Sequence, residues 1–319
     1  MTRFSSFDII SIIYSIPSLL LMTYTLIIIL DKLKNNNPGF KNEFFPFVAY
    51  RLANDIFYNV LAYFLLKFPL WGIWSLFYLE HNFMAKICFG LGAFLVSGFF
   101  IHSLVTSFIR FIAVCFPTKY RKVFNQKRVG YIILGMITYG ILICSGSLFF
   151  ESRYIYNNVS NAVVPTFVSK EASYYTFAYG IVIYNLTILL SLFFNTANWY
   201  LIYKKRNEWR SNKSINILYG LYSLFTFIIT CFHELYFILR VISNYTEDPK
   251  YAAIASIILS YTGDVGTYGD FYFILFISKT LRNAIMLPIM KVFKCNVVEV
   301  TTVNLNVQPT AIKSKCTKI

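Results

Sequence analysis

Residues 7–30, FDIISIIYSIPSLLLMTYTLIIIL, decide the class of fold. A helix of these 24 residues rises about 36 Å at 1.5 Å per residue. That is enough to cross the hydrocarbon core of a bilayer. The run exceeds the h-region of a secretory signal, and no A-x-A-like cleavage site follows it. It reads as a retained first span, with Pro17 a kink that neighbouring helices can absorb.

Six further apolar runs follow, at about 44–66, 84–111, 130–150, 174–202, 215–239 and 251–277. The second holds Arg51 and Asp55 and is the least hydrophobic; the seventh holds Asp264 and Asp270. The expected fold is an all-α membrane protein, a seven-helix bundle over 7–285. Residues 1–6 precede it, and a tail, 286–319, follows. Residues 278–288 suit a short amphipathic eighth helix.

The composition agrees. Hydrophobic residues make up 57% of the chain, aromatic residues 19% and charged residues only 13%. Disordered chains are poor in apolar residues, and a soluble domain could not hide so much apolar surface. The solvent is therefore the lipid bilayer. The net charge of +15 does not indicate nucleic acid, which needs an exposed basic face. Here the basic residues cluster between apolar runs.

Those clusters set the orientation. Residues 31–43 hold three Lys or Arg, 115–129 five, 203–214 five and 278–319 seven. The alternate segments, 1–6, 67–83, 151–173 and 241–250, hold one, one, two and one. Lys and Arg collect on the cytoplasmic side, so the amino terminus is expected outside and the carboxyl terminus inside. The sequons at Asn158 and Asn244 then face outward, where glycans are added. Those at Asn185 and Asn212 do not.

Ionisable groups in a span cost roughly 2.5–3.5 kcal/mol at mid-depth. Asp55 reads either as a polar hub that relaxes between two states or as a helix–helix hydrogen-bond partner. Arg51, one turn away, can pair with it. Arg110 ends the third run and reads as snorkelling to headgroups or as a switch that meets a transducer. Glu234 and His233 in span six and Asp264 in span seven are the candidate ligand-binding residues. Glu234 and Asp264 could share one outer cavity; the plainer reading pairs them with Arg240, Lys86 or a tyrosine.

Chemistry is not encoded in the familiar ways. His81, His102 and His233 stand apart without HExxH spacing, and none of the six cysteines forms a CxxC pair. There is no GxSxG, P-loop or dinucleotide fingerprint. No metal, cofactor or enzymatic activity is expected. No TVGYG-like filter or arginine ladder is present. A ligand-gated channel or transporter subunit is the competing class, with the insect seven-helix channels disfavoured because their amino terminus lies inside. Cys295 and Cys316 read as tail thiols or as palmitoylation sites.

Several local patterns resemble the nematode serpentine receptor class gamma (Srg) family of G-protein-coupled chemoreceptors. They are Tyr14, Pro17 and Tyr24 in span one, Phe40-Lys41-Asn42-Glu43-Phe44-Phe45 with Asp55 ten residues on, and Arg110-Phe111 followed by Phe116-Pro117-Thr118-Lys119-Tyr120. Gly269-Asp270 and Ser278-Lys279-Thr280-Leu281-Arg282 close the series. Sister classes V, U and X stand beside it as alternatives. The resemblance implies a receptor on sensory neurons that binds a small molecule and signals through a heterotrimeric G protein. It makes Arg110 the switch, with Pro117 and Tyr120 in the second inner loop. Arg121, Lys122, Lys204, Lys205 and Arg206 lie near it and read either as part of a coupling face or, more plainly, as the product of topology and attraction to anionic lipid. The chain departs from rhodopsin-like receptors in having Ile109 where an acidic neighbour would stand, no NPxxY, and no second-loop cysteine to pair with Cys88.

Overall fold

The computed structural model describes residues 6–40, 44–117, 120, 123–157, 162–204, 213–246 and 248–292. Seven helical segments cross the bundle. Span one is Ser6–Lys34, with Pro17 inside it. Span two is Phe44–Ala62, prolonged by a π turn at Tyr63–Lys67. Span three is Phe83–Cys115, and span four is Gln126–Ser147, opened by Asn125, whose side chain accepts from the Arg128 N–H. Span five joins Lys170–Phe177, a π turn at Ala178–Ile183 and Tyr184–Lys204. Span six is Lys213–Thr246. Span seven joins Pro249–Asp264, a π turn at Val265–Gly269 and Asp270–Ile277.

Five of these helices are long and apolar enough to cross a membrane by themselves. Spans two and seven are the other two. They carry Arg51, Asp55, Lys67, Asp264 and Asp270, and each is interrupted by a π turn. Their charges pair with one another inside the bundle, which is how two poorly apolar helices remain among lipid-facing ones. Leu20, Leu142, Leu186 and Phe276, by contrast, point outward, each more than half exposed.

Span three is the axis. Its cluster of Leu95, Phe99 and Phe100 packs against Tyr58, Ile143, Tyr184 and Phe237. A second cluster joins Met22, Leu52, Phe271 and Ile274 from spans one, two and seven. Gly98 lets span two approach span three: a Cβ there would lie 2.5 Å from Asn54 Oδ1. After span seven, the Ser278 hydroxyl accepts from the Leu281 N–H and starts a helix, Lys279–Val292, that buries Leu281 and Ile285. The expected eighth helix is therefore present, and it runs across the boundary placed at 285.

The connection between spans four and five holds an antiparallel hairpin, β1 (Ser152–Asn157) and β2 (Ala162–Phe167). The sequence reading contained no strand here. Tyr154 and Val163 pack on Tyr78 and Ala85, and Phe167 stacks on Phe89 at 3.8 Å. This hairpin marks one end of the bundle; Arg110 marks the other.

Candidate functional site

At the centre, Arg51 joins two spans. Its Nε lies 3.1 Å from Asp55 Oδ2 and 3.4 Å from Asp270 Oδ2. Its Nη2 donates to the Gly266 carbonyl at 3.1 Å, inside the span-seven π turn. Such turns shift backbone bonding and frequently mark functional sites. The Tyr222 hydroxyl donates to Asp270 Oδ2 at 3.3 Å, which adds span six. The guanidinium also lies over the Phe99 ring, 4.4 Å from its centroid. The expected Arg51–Asp55 pair is thus present, but it is part of a larger unit. Asp270 could be seen only as another acid in span seven, because nothing in the sequence fixes the rotation of one helix against another.

Asp264 is turned toward spans one and two. Its Oδ1 lies 3.6 Å from Lys67 Nζ, and its Oδ2 accepts from the Ser11 hydroxyl at 3.1 Å and from the Tyr14 hydroxyl. Lys67 also donates to Ser11 at 3.0 Å and stands over the Tyr63 ring. Asp264 is a strut between spans one, two and seven, because the seventh helix turns that edge toward the first. Its tyrosine partner agrees with the plainer sequence reading.

His233 is fully buried, its ring 5.0 Å from Phe99. Its Nδ1 lies 3.0 Å from the Ile229 carbonyl, and Nε2 has no partner among the described residues. Glu234 is buried, with neither carboxylate oxygen hydrogen-bonded among those residues. The expected pairing with Arg240, Lys86 or a tyrosine is absent from this set.

One polar unit was missed by the sequence reading. Asn195 of span five donates to the Ser107 hydroxyl of span three at 2.8 Å and accepts from the Ser223 hydroxyl of span six at 2.7 Å. Ser191 lies 2.9 Å from Ser107. Small hydroxyls in apolar helices look unremarkable one at a time, and only packing brings them together.

At the Arg110 end, the guanidinium sits 3.9 Å from the Tyr219 ring centroid of span six and 5.9 Å from that of Phe44 in span two. Arg110 does not simply snorkel. A cavity of about 20 Å³ beside it is lined by Phe47, His102, Thr106, Ile109, Tyr120 and Tyr222, among others. His102 is a lining residue that the sequence reading did not single out. Pro117 and Lys204 are exposed near this end. Arg121, Lys122, Lys205, Arg206, Asn158, Cys295 and Cys316 lie outside the described residues. Asn244 is in the last turn of span six, near the opposite end. No group of three or more metal-ligating side chains occurs among the described residues.

Seven helical segments are knit by buried polar contacts, with Arg110 against the Tyr219 ring at one end. The sequence model of the serpentine type 7TM GPCR chemoreceptor Srv family matches residues 11–291. The chain belongs to that family and is a chemosensory receptor of the G-protein-coupled class. The match corrects the class gamma resemblance: the layout is common to the superfamily, and the loose motifs quoted for class gamma do not separate it from class V. No curated protein sequence matches the chain.

Proposed function

We propose that this receptor lies in the plasma membrane of sensory neurons, including their cilia, with its amino terminus outside. A small molecule binds at the hairpin end, and a heterotrimeric G protein is activated at the Arg110 end. The supporting observation is the Arg110–Tyr219 contact, 3.9 Å from guanidinium carbon to ring centroid. It joins spans three and six, and Arg110 also lines the cavity formed with Phe47, His102 and Tyr120. Movement of span six away from span three removes the Tyr219 lid and exposes Arg110. The excess of Lys and Arg in the segments at this end supports a cytoplasmic position for it.

The coupling face comprises Arg110, Pro117, Tyr120 and Lys204, continued in the chain by Arg121, Lys122, Lys205 and Arg206. His233 and Glu234 belong to the ligand site, and Asp264 braces its wall. A ligand acts only through its different affinity for the two packings. Asn158 and Asn244 carry the glycans.

The test begins with epitope tags at both termini in intact and permeabilised cells, with Asn158→Gln and Asn244→Gln beside the parent. Purified receptor is then assayed for nucleotide exchange on G-protein heterotrimers. An exposed amino-terminal tag, a hidden carboxyl-terminal tag and receptor-dependent exchange lost in Arg110→Ala are expected. A hidden amino terminus, or a ligand-evoked current without G protein, sinks the proposal and favours the channel class.

A further inference from the structure

His102, Thr106 and Arg110 follow one another at intervals of four residues along span three. Residues at that spacing share a helix face. Long helical side chains lean toward the preceding turn, which carries Arg110 back toward Thr106. All three line the one cavity of about 20 Å³, together with Phe47 and Val48 of span two and Tyr222 of span six.

The wall of this cavity is rich in donors. Arg51 and Lys67 are ion-paired, whereas Arg110 makes no ion pair among the described residues. Its Nε is buried and has no acceptor among them. A buried charge ordinarily has a partner of opposite sign. His102 Nε2 lies 3.5 Å from Thr106 Oγ1. This pair holds a ring N–H and a hydroxyl O–H, and their mutual contact uses only one of the two. Whichever ring nitrogen carries the proton, one further donor remains. No aspartate or glutamate lines the cavity among the described residues. Asp55 and Asp270 are held by Arg51, and the Tyr222 hydroxyl donates to Asp270 at 3.3 Å.

Size and charge narrow the occupant. A water needs about 10–15 Å³ of cavity, and a halide ion is slightly larger. A cavity of about 20 Å³ suits one such sphere and is too small for a phosphate group. Water fills the space but leaves the guanidinium uncompensated. The segments at this end, 115–129 and 203–214, hold five Lys or Arg each. Positive charge around a cleft raises the local concentration of anions.

From this geometry we propose that the cavity beside Arg110 is a binding site for one small monovalent anion, a halide such as chloride. The ion accepts from the Arg110 guanidinium and from the donor that His102 and Thr106 leave over. It compensates the guanidinium where the Tyr219 ring covers it, 3.9 Å away. The site holds whichever way the receptor signals.

Thermal unfolding of the full-length receptor in phosphatidylcholine nanodiscs tests this. Sodium gluconate is replaced stepwise by sodium chloride or sodium bromide at constant ionic strength. Gluconate is a monovalent anion too large for the cavity. Both halides are expected to raise the unfolding temperature along a saturating curve. Arg110→Gln removes the charge and should raise the half-saturating halide concentration roughly tenfold or more, the loss of a hydrogen bond to a charged group. Val48→Ile adds one methylene to the wall and leaves every polar group in place. Overpacking of this kind should raise the half-saturating concentration roughly fivefold or more. It carries the test alone if the glutamine variant does not fold. Identical unfolding in halide and gluconate, which leaves water as the occupant, overturns the proposal. So does a shift that rises without saturating, or a halide shift undiminished in either variant.

Discussion

Arg51 of span two reaches Asp270 of span seven, Nε to Oδ2, across 3.4 Å inside the bundle. Asp55 lies 3.1 Å from the same nitrogen, so one guanidinium serves two carboxylates. Breaking a buried ion pair by removing one partner costs about 3–5 kcal/mol, because the other charge is left uncompensated. Arg51→Met strands two acids and should abolish folding, read as loss of surface receptor and of a cooperative melt. Asp55→Asn leaves one positive and one negative charge. It should cost no more than about 1 kcal/mol, the scale of a single hydrogen bond. Similar losses in the two variants would show that the cluster does not behave as one unit of unequal charge.

The Arg110–Tyr219 contact makes a signed prediction about basal activity. A cation over an aromatic ring contributes about 0.5–2 kcal/mol. Tyr219→Leu keeps bulk but removes the ring, and should raise ligand-independent nucleotide exchange by roughly 2- to 30-fold. Tyr219→Phe retains the ring and should stay near the parent. Equal activation by both substitutions would assign the effect to the hydroxyl and refute the cation–ring lid.

The seven spans were legible in the sequence because apolar length is a one-dimensional signal, and so was the pairing of Arg51 with Asp55, one helical turn apart. The partners that lie across helices were not. Asp270 on Arg51, Tyr14 on Asp264 and Tyr219 on Arg110 depend on helix rotation and register. The π turns at Tyr63–Lys67, Ala178–Ile183 and Val265–Gly269 add one residue to a turn and rotate everything beyond it. A regular 3.6-residue reading therefore misjudges how Asp270 is rotated relative to Asp264, on the other side of the turn, while still locating the span. The family class was missed for a different reason: the quoted motifs mark the superfamily layout more than its branches.

Asn195 is the hub of the hydroxyl network, donating to Ser107 and accepting from Ser223. Asn195→Leu should leave both serines without this bridge between spans three, five and six. Ser107 and Ser223 keep their mutual contact at 3.1 Å, so the expected cost is that of the two lost hydrogen bonds, about 1–3 kcal/mol in all. Receptor unfolding in detergent checks it. The triple variant Ser107→Ala, Asn195→Leu, Ser223→Ala removes the two serine hydroxyls as well, and should cost less than the sum of its single substitutions. A triple variant that falls by the sum of its single substitutions would argue against a coupled network.

The hairpin end carries a pH-dependent contact. Tyr154 donates to the Leu65 carbonyl at 2.7 Å, and Tyr78 donates to the Phe64 carbonyl. Both acceptors lie in the span-two π turn. Burial raises the pKa of both hydroxyls above the ordinary tyrosine value of 10.0, with neighbouring Cys88 adding to the rise. A phenolate cannot donate, so the bonded form is the protonated one. Below about pH 10 both folded and unfolded states hold these protons, and the contact contributes in full. Above it the unfolded state releases protons that the folded state keeps, so stability falls as pH rises through the folded pKa. Tyr154→Phe should cost about 1 kcal/mol at neutral pH. It should also flatten the fall in unfolding temperature between about pH 9 and 12. Limited proteolysis within the hairpin should quicken in the same order, parent at high pH approaching the phenylalanine variant at low pH. If parent and variant lose stability in parallel across this range, other tyrosines control the alkaline transition and Tyr154 is not the residue that ties the hairpin to span two.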